Sequence, residues 1–341
     1  MLRGMSNQPA NVGGQAVIEG VMMRSPRCLT VAVRRRNQAI VLMEQPWVSR
    51  VPEWARKVPF LRGAVVLFES MRNGYGALRF SADQFEQDLP EEERGTVTEG
   101  EGSSGMAARL GIVMSIGLMV ALPKLLAWGA GHVFAGGLTM GDPRFHILAG
   151  AFKLLIVIGM MLSMRQTQEM YRVFQYHGAE HKAIAVHEAG LPLTTENARR
   201  FSTRHARCGT TFLMVVVLVS VGVFATVLPA ILPHSSGFLT MLASIALSIP
   251  LLPPIAGVAY ELQRLGARYA DHPIAQVFLA PGYLVQRITT AEPTDDQVEV
   301  AMVALARALA REAEESAAPA AVSAAPVVQT FPSFAAFAAG R

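Results

Sequence analysis

From Gly13 to Glu44 the apolar residues come in short runs. Ala16-Val17-Ile18, Leu29-Thr30-Val31-Ala32-Val33 and Ala39-Ile40-Val41-Leu42 are β-prone, and Ser25-Pro26 and Arg36-Asn37-Gln38 lie between them as turns. This pattern predicts a small antiparallel sheet. Gly13-Gly14 and Gly20 bracket Glu19, which points to close backbone approach or unusual dihedrals there. After a connector from Pro46 to Pro59, the period lengthens. Leu61, Val65, Phe68 and Met71 fall at helical spacing and predict an amphipathic helix over 61–80. Its Arg62, Arg72 and Arg79 suit an anionic membrane surface, and packing on the small sheet is the other reading. Residues 13–82 are thus a sheet plus a helix, preceded by a disordered stretch over 1–12. Residues 83–105, acidic and Gly/Ser-rich around Glu91-Glu92-Glu93, read as a flexible linker that cannot bury enough apolar surface to order itself.

Four long apolar segments follow: about Met106 to Phe134, His146 to Met164, Phe212 to Leu232, and Phe238 to Tyr260. Each is near the ~20 residues a helix needs to cross the hydrocarbon core. Lys124 interrupts the first and is read as its outer end, with the ammonium reaching the headgroups. Pro250, Pro253 and Pro254 predict a kink in the fourth. The chain is therefore read as an α-helical polytopic membrane protein with about four spans over 106–293. It carries a polar His/Cys loop at 165–211, a small N-terminal β/α region and a C-terminal helix. Thr294-Asp295-Asp296 caps that helix over 294–315, with Val298, Met302, Leu305 and Leu309 as its stripe. The Ala/Pro-rich remainder, 316–341, reads as disordered.

Composition agrees with this: 51% of the 341 residues are hydrophobic and only 16% charged, well below the roughly one quarter of a soluble domain. The net charge of +4 is modest, and no basic tract carries interleaved aromatics, so nucleic-acid binding is not expected. The 1–11 stretch lacks an apolar h-region, so no cleaved signal peptide is expected. Arg165, Arg172, Lys182, Arg199, Arg200, Arg204 and Arg207 crowd the loop after the second apolar segment, whereas the loop after the third has neither Lys nor Arg. The positive-inside rule then puts that loop and both termini in the cytosol, with the bilayer and other membrane proteins as partners. Cys28 and Cys208 lie on that side, reduced and unpaired.

The chemistry gathers at His177-Gly178-Ala179-Glu180-His181. Residues four apart share a helix face, so the two imidazoles stand together, and Glu180 lies about 60° to one side. His-x-x-Glu-His is a reversed zincin spacing, in which the histidines hold Zn and the glutamate moves a proton. A third ligand must come from elsewhere, and His205, Cys208 and Glu261 are the candidates. A straight helix from Met164 would carry His177 roughly 20 Å beyond the second span. Either it bends back or the site lies in the cytosolic part.

Gly13-Gly14-Gln15-Ala16-Val17-Ile18-Glu19-Gly20-Val21-Met22-Met23-Arg24 resembles the opening signature of the YqhQ-like family of bacterial membrane proteins. Phe174 to Lys182 resembles the family's central motif, and Arg207 to Phe212, Pro281-Gly282 and Thr289 to Pro293 resemble later ones. Ala206 stands where the family usually has proline and Thr211 where it has serine, which keeps the hydroxyl. The likeness runs from about Gly13 to Leu309 and implies membrane location and a metal-dependent activity.

Three function classes follow. In a membrane metal-dependent hydrolase, His177, His181 and one of the three candidates bind Zn, Glu180 is the base, and Arg207 or Arg24 steadies an anionic oxygen. In a non-catalytic scaffold or assembly factor, the same cluster locks the sheet onto the spans, with Glu19 part of the lock. A transporter has only the proline-broken fourth segment in its favour.

Overall fold

The computed structural model describes residues 12–47, 49, 51–90, 110–111, 113–134, 137–270, 272–317 and 326–340. Residues 1–11 of the stretch over 1–12 expected to be disordered and residues 91–105 of the expected linker lie outside them, while Val12 is buried in the core, a correction at that residue. The sheet is present. β1 (Gly13–Val17), β2 (Gly20–Arg24), β3 (Cys28–Arg34) and β4 (Ile40–Pro46) form an antiparallel meander. Glu19 turns the first hairpin with a φ of +51°, the unusual backbone expected there. A fifth strand, β5 (Val327–Phe331), pairs antiparallel with β4. This corrects the reading of the tail as disordered. Val327-Val328-Gln329-Thr330-Phe331 is β-prone in itself, and β4 offers it an open edge. A short helix beyond β5, Phe334–Ala339, buries Phe337 edge-on against Phe331.

Both faces of the sheet are covered. α1 (Glu53–Lys57) leads into α2 (Leu61–Glu86), which packs Ala77 and Phe80 on Val17, Met22, Leu29, Val31 and Val33. α2 runs six residues past the expected end and takes in the start of the supposed linker. The other face, with Val21, Met23, Ala32 and Leu42, packs on two helices, Gln168–Glu188 and Asp295–Ala317. The second of these shows more than the expected stripe: Val300, Ala301, Val303, Ala304 and Ala306 are buried as well. It lies in the middle of the domain, where alanines let neighbours approach from every side. Thr30 donates its hydroxyl to the Ala304 carbonyl at 2.8 Å.

Among the described residues, three helices are long and apolar enough to cross a membrane, Val113–Val133, Pro143–Met164 and Gly209–Ile231. A bent pair, Phe238–Ser248 and Leu252–Arg268, makes a fourth candidate, broken by 50° where prolines cluster. We number the helices after α2 in chain order: α3 (Leu122–Phe134), α4 (Pro143–Met164), α5 (Gln168–Glu188), α6 (Thr195–Arg199), α7 (Gly209–Ile231), α8 (Phe238–Ser248), α9 (Leu252–Arg268), α10 (Pro273–Thr289) and α11 (Asp295–Ala317). A π-helical turn, Gly117–Ala121, precedes α3, and Pro123 just beyond it accounts for the widened turn. Lys124 corrects its expected place. It is buried, and its ammonium donates to the Ser244 carbonyl (2.8 Å), the Ser244 hydroxyl (2.6 Å) and the Ser248 hydroxyl (2.8 Å). Its three protons are thus used between helices rather than at headgroups.

The supposed loop over 165–211 is mostly helix. Arg165–Thr167 break the chain after α4, and the Thr167 hydroxyl caps α5. Arg165 reaches across to the carbonyls of Ile288 (2.5 Å) and Thr290 (3.0 Å), tying this break to the end of α10. Gly178 lets α5 lie directly against the chain after α10: a Cβ there would stand 2.2 Å from the Ala291 carbonyl oxygen. Gly178→Ala is therefore expected to cost about 1–3 kcal/mol by overpacking. Gly76→Ala, at a helical site with open space around it, is expected to be neutral or slightly stabilising. Denaturant unfolding of the two purified variants in detergent checks the contrast, and equal stability would refute it.

Candidate metal centre

α5 is buried along most of its second half, so every polar atom it carries needs a partner. Tyr176, Ala179, Ala183 and Val186 supply the apolar contacts. His177, Glu180, His181 and Lys182 share that buried stretch. Lys182 is ion-paired with Glu292. The His177 Nδ1 lies 2.8 Å from the Thr289 carbonyl, and the His181 Nδ1 bonds the Thr203 carbonyl. Both rings are thereby fixed with Nε2 pointing inward. The rings sit 4.5 Å apart, centroid to centroid. His177 Nε2 lies 3.1 Å from the Cys208 Sγ. His181 Nε2 is buried with no hydrogen-bond partner. One ligand atom from each of His177, His181 and Cys208 falls within 4.8 Å of the others.

Cys208 caps α7, its sulfur accepting from the Thr210 amide at 3.4 Å and lying 3.1 Å from the Thr210 hydroxyl. Gln263 donates to the Cys208 carbonyl at 3.0 Å. Burial works to raise this thiol, but the His177 ring beside it outweighs burial and holds the thiol well below its usual range. Burial works to lower His177, and Cys208 and Glu180 outweigh it, raising the ring to about 9. Cys28, buried in the sheet domain near Glu44, behaves in the opposite way, its thiol pushed up to about 12 by burial. The two cysteines are both unpaired, yet only Cys208 sits where a thiolate is stabilised.

Glu180 is almost fully buried, with Oε2 4.0 Å from His177 Nε2. Burial raises its carboxyl against the pull of His181 and His177. The β1 backbone closes over it. A Cβ on Gly14 would fall 2.7 Å from Glu180 Cγ and 2.8 Å from Oε1, so only glycine fits there.

The other expected site residues divide. His205 is close, 5.7 Å from His181 between ring centroids, but its Nε2 faces Glu188 at 3.1 Å, and Glu188 also pairs with Arg207. Gln286 holds the His205 backbone at both its amide and carbonyl, 2.8 Å each, which fixes that turn although Ala206 stands in the proline position. Glu261 is not at the centre. Both its oxygens go to Arg62, at 2.6 and 2.5 Å, and join α9 to α2. Arg24 also lies elsewhere, its guanidinium 3.6 Å above the Trp47 ring. Glu19 pairs with Arg172 and accepts from the Tyr176 hydroxyl at 3.3 Å, pinning the first hairpin to α5. Sequence reasoning singled out Gly14 for close approach without naming Glu180 as its neighbour, and it missed Gln263, Gln286 and the two carbonyl anchors. Backbone acceptors leave no residue signature, and a glycine does not name its neighbour.

A cavity of about 600 Å³ opens on the centre. His177, Glu180, His205, Arg207 and Cys208 line one part of it. The rest is mostly apolar, from β1, α2, α5, α9 and the ends of α4 and α7, including Leu67, Met160, Met161, Phe212 and Tyr260, with Gln15, Ser70 and Gln263 among them. The distance expected between His177 and the second apolar segment is thus closed by the break at Arg165–Thr167, since Met161 and Met164 line the same space.

Residues 58–311 match the family described as "Protein of unknown function (DUF1385)". "Uncharacterized protein YqhQ" of Bacillus subtilis (strain 168) is 33% identical over 301 residues, covering 86% of this chain and 91% of that protein. No solved structure matches. The His-x-x-Glu-His helix with its Cys208 neighbour thus sits inside a match that spans most of the sequence, and the chain belongs to the DUF1385 family of proteins of unknown function.

Proposed function

We propose that this is a multi-pass membrane protein of the bacterial cytoplasmic membrane whose His177–His181–Cys208 centre binds a zinc ion and supports hydrolysis. The observation that carries the reading is the pair of imidazoles anchored at Nδ1 on carbonyls, with both Nε2 atoms turned toward one thiol. Metal-ligating histidines are oriented in this way, because the outer hydrogen bond fixes the tautomer and leaves the inner nitrogen's lone pair free. The unpartnered, buried His181 Nε2 fits an ion better than it fits an apolar wall. Two nitrogens and one thiolate are a zinc donor set that leaves a fourth position open. Zinc held there would supply a Lewis acid at the polar end of the cavity.

The chain's own residues do the rest. Glu180 cannot rotate away, because Gly14 lies against its carboxyl group. Its raised carboxyl is suited to take a proton from water and return it to a leaving group. Arg207 lines the same cavity and is the candidate to steady an anionic oxygen, whereas the Arg24 guanidinium lies over the Trp47 ring and Arg24 is not among the lining residues. The basic stretch that includes Arg165, Arg172 and Arg207 supports a cytosolic setting for the centre, with both termini on that side.

A second reading, a non-catalytic scaffold, is favoured by the Glu19–Arg172 pair and the Tyr176 hydroxyl, which hold the sheet to α5 without any chemistry.

Purified full-length protein is expected to carry close to one equivalent of zinc by elemental analysis. His181→Ala and Cys208→Ser are expected to lose it, and bound zinc is expected to shield Cys208 from alkylation by iodoacetamide. Absence of zinc, with none taken up on titration, refutes the metal centre. Glu180→Gln keeps size and hydrogen bonding but removes the base. It is expected to retain fold and zinc while failing to complement a strain that lacks the gene, since loss of a general base lowers turnover by about a hundred- to ten-thousand-fold. Full complementation by Glu180→Gln would favour the scaffold.

A further inference from the structure

The cavity says more than the centre does. His177, Glu180, His205, Arg207 and Cys208 lie together on it, and the larger share of its remaining lining, from β1, α2, α4, α5, α7 and α9, is apolar, with the polar Gln15, Ser70 and Gln263 among it. Its volume is within the range that holds a small organic molecule, about 300–1,000 Å³. It lies at the meeting point of the ends of two candidate spans, α4 and α7. One side of α2 lines it through Gly63, Val66, Leu67 and Ser70. A neighbouring side of α2 exposes Phe68, Met71 and Tyr75 at helical spacing, with Arg72 exposed beside them. An apolar stripe edged by arginine, next to the ends of membrane helices, belongs at the bilayer surface. The cavity mouth beneath α2 then faces acyl chains rather than bulk water.

We propose, resting on the hydrolase reading above, that the substrate is an ester-linked amphiphile drawn from the bilayer. Its acyl chain lies along Leu67, Met161 and Phe212, and its acyl carbonyl stands at the His177–Glu180–Cys208 end. Water adds across the ester: its oxygen bonds to the carbonyl carbon, the bond from that carbon to the alcohol oxygen breaks, and the products are a carboxylic acid and an alcohol. Glu180 takes one proton from the water and passes it to the departing alcohol oxygen. No oxidant or second substrate is needed.

The test uses full-length Glu180→Gln protein, which should not consume the probe, in nanodiscs of phosphatidylcholine with a diazirine in one acyl chain. After photolysis, adducts are mapped by mass spectrometry. Met161 is 8% exposed and lines the cavity, while Phe224 is 5% exposed and packs inside the helix bundle away from it. The expected result is adducts on Met161 and Leu67 at about ten times the yield on Phe224 or more. Leu67→Trp, which narrows the cavity, should lower the Met161 adduct and leave those on outward-facing Leu213 and Leu218 intact. Equal yields on Met161 and Phe224 overturn the proposal, and that comparison stands even if Leu67→Trp fails to fold. Labelling requires neither zinc nor turnover. Labelled protein that binds no zinc keeps the amphiphile and loses the hydrolase, and zinc-bound protein without the Met161 adduct keeps the hydrolase and loses this substrate.

Discussion

A buried imidazole nitrogen with no partner is costly, of order 1–3 kcal/mol for a neutral group. His181 carries one, and the fold spends several other contacts holding it in place. The Thr203 carbonyl takes its Nδ1, the Thr289 carbonyl takes that of His177, and Cys208 stands opposite both. If the ring merely filled space, a phenylalanine or leucine would do so without the penalty. The cation proposed above would complete the arrangement, and the surrounding structure is organised around these two rings and the thiol.

Each neighbouring element has a part in that constraint. Gly178 lets α5 lie against the chain at Ala291, which brings the Thr289 carbonyl to His177. Gly14 lets β1 lie against Glu180. Glu19, strained into positive φ at the hairpin tip, reaches Arg172 and Tyr176 in the turns of α5 just before His177. Gln286 and Gln263 hold the backbone around His205 and Cys208, so the thiol arrives from a rigid turn. The sheet, the helix on it and the ends of the apolar helices are thus joined at one place.

Much of this was legible before any coordinates. Short β-prone runs between turns gave the meander, and the His177–His181 spacing gave the shared helix face. The apolar segments and the prolines between Ser248 and Pro254 gave the long helices and the bend. What failed did so for physical reasons. Composition hid β5, because the Ala/Pro-rich stretch before it masks a short β-prone run. Lys124 looked peripheral, since nothing in sequence shows that Ser244 and Ser248 lie across from it. α10, with Pro281 and Gly282 inside it, carries no clean helical pattern, yet it supplies Gln286 and Thr289. Glu261 sits two residues from Gln263 on α9, and that difference turns one toward Arg62 and the other toward Cys208.

The central claim is that one ion is shared by His177, His181 and Cys208. X-ray absorption at the zinc edge of metal-loaded protein measures this directly. The account predicts one sulfur at about 2.3 Å and two imidazole nitrogens at about 2.0–2.1 Å, with a lighter donor filling the set. A spectrum with no sulfur scatterer, or one unchanged by Cys208→Ser, would contradict it.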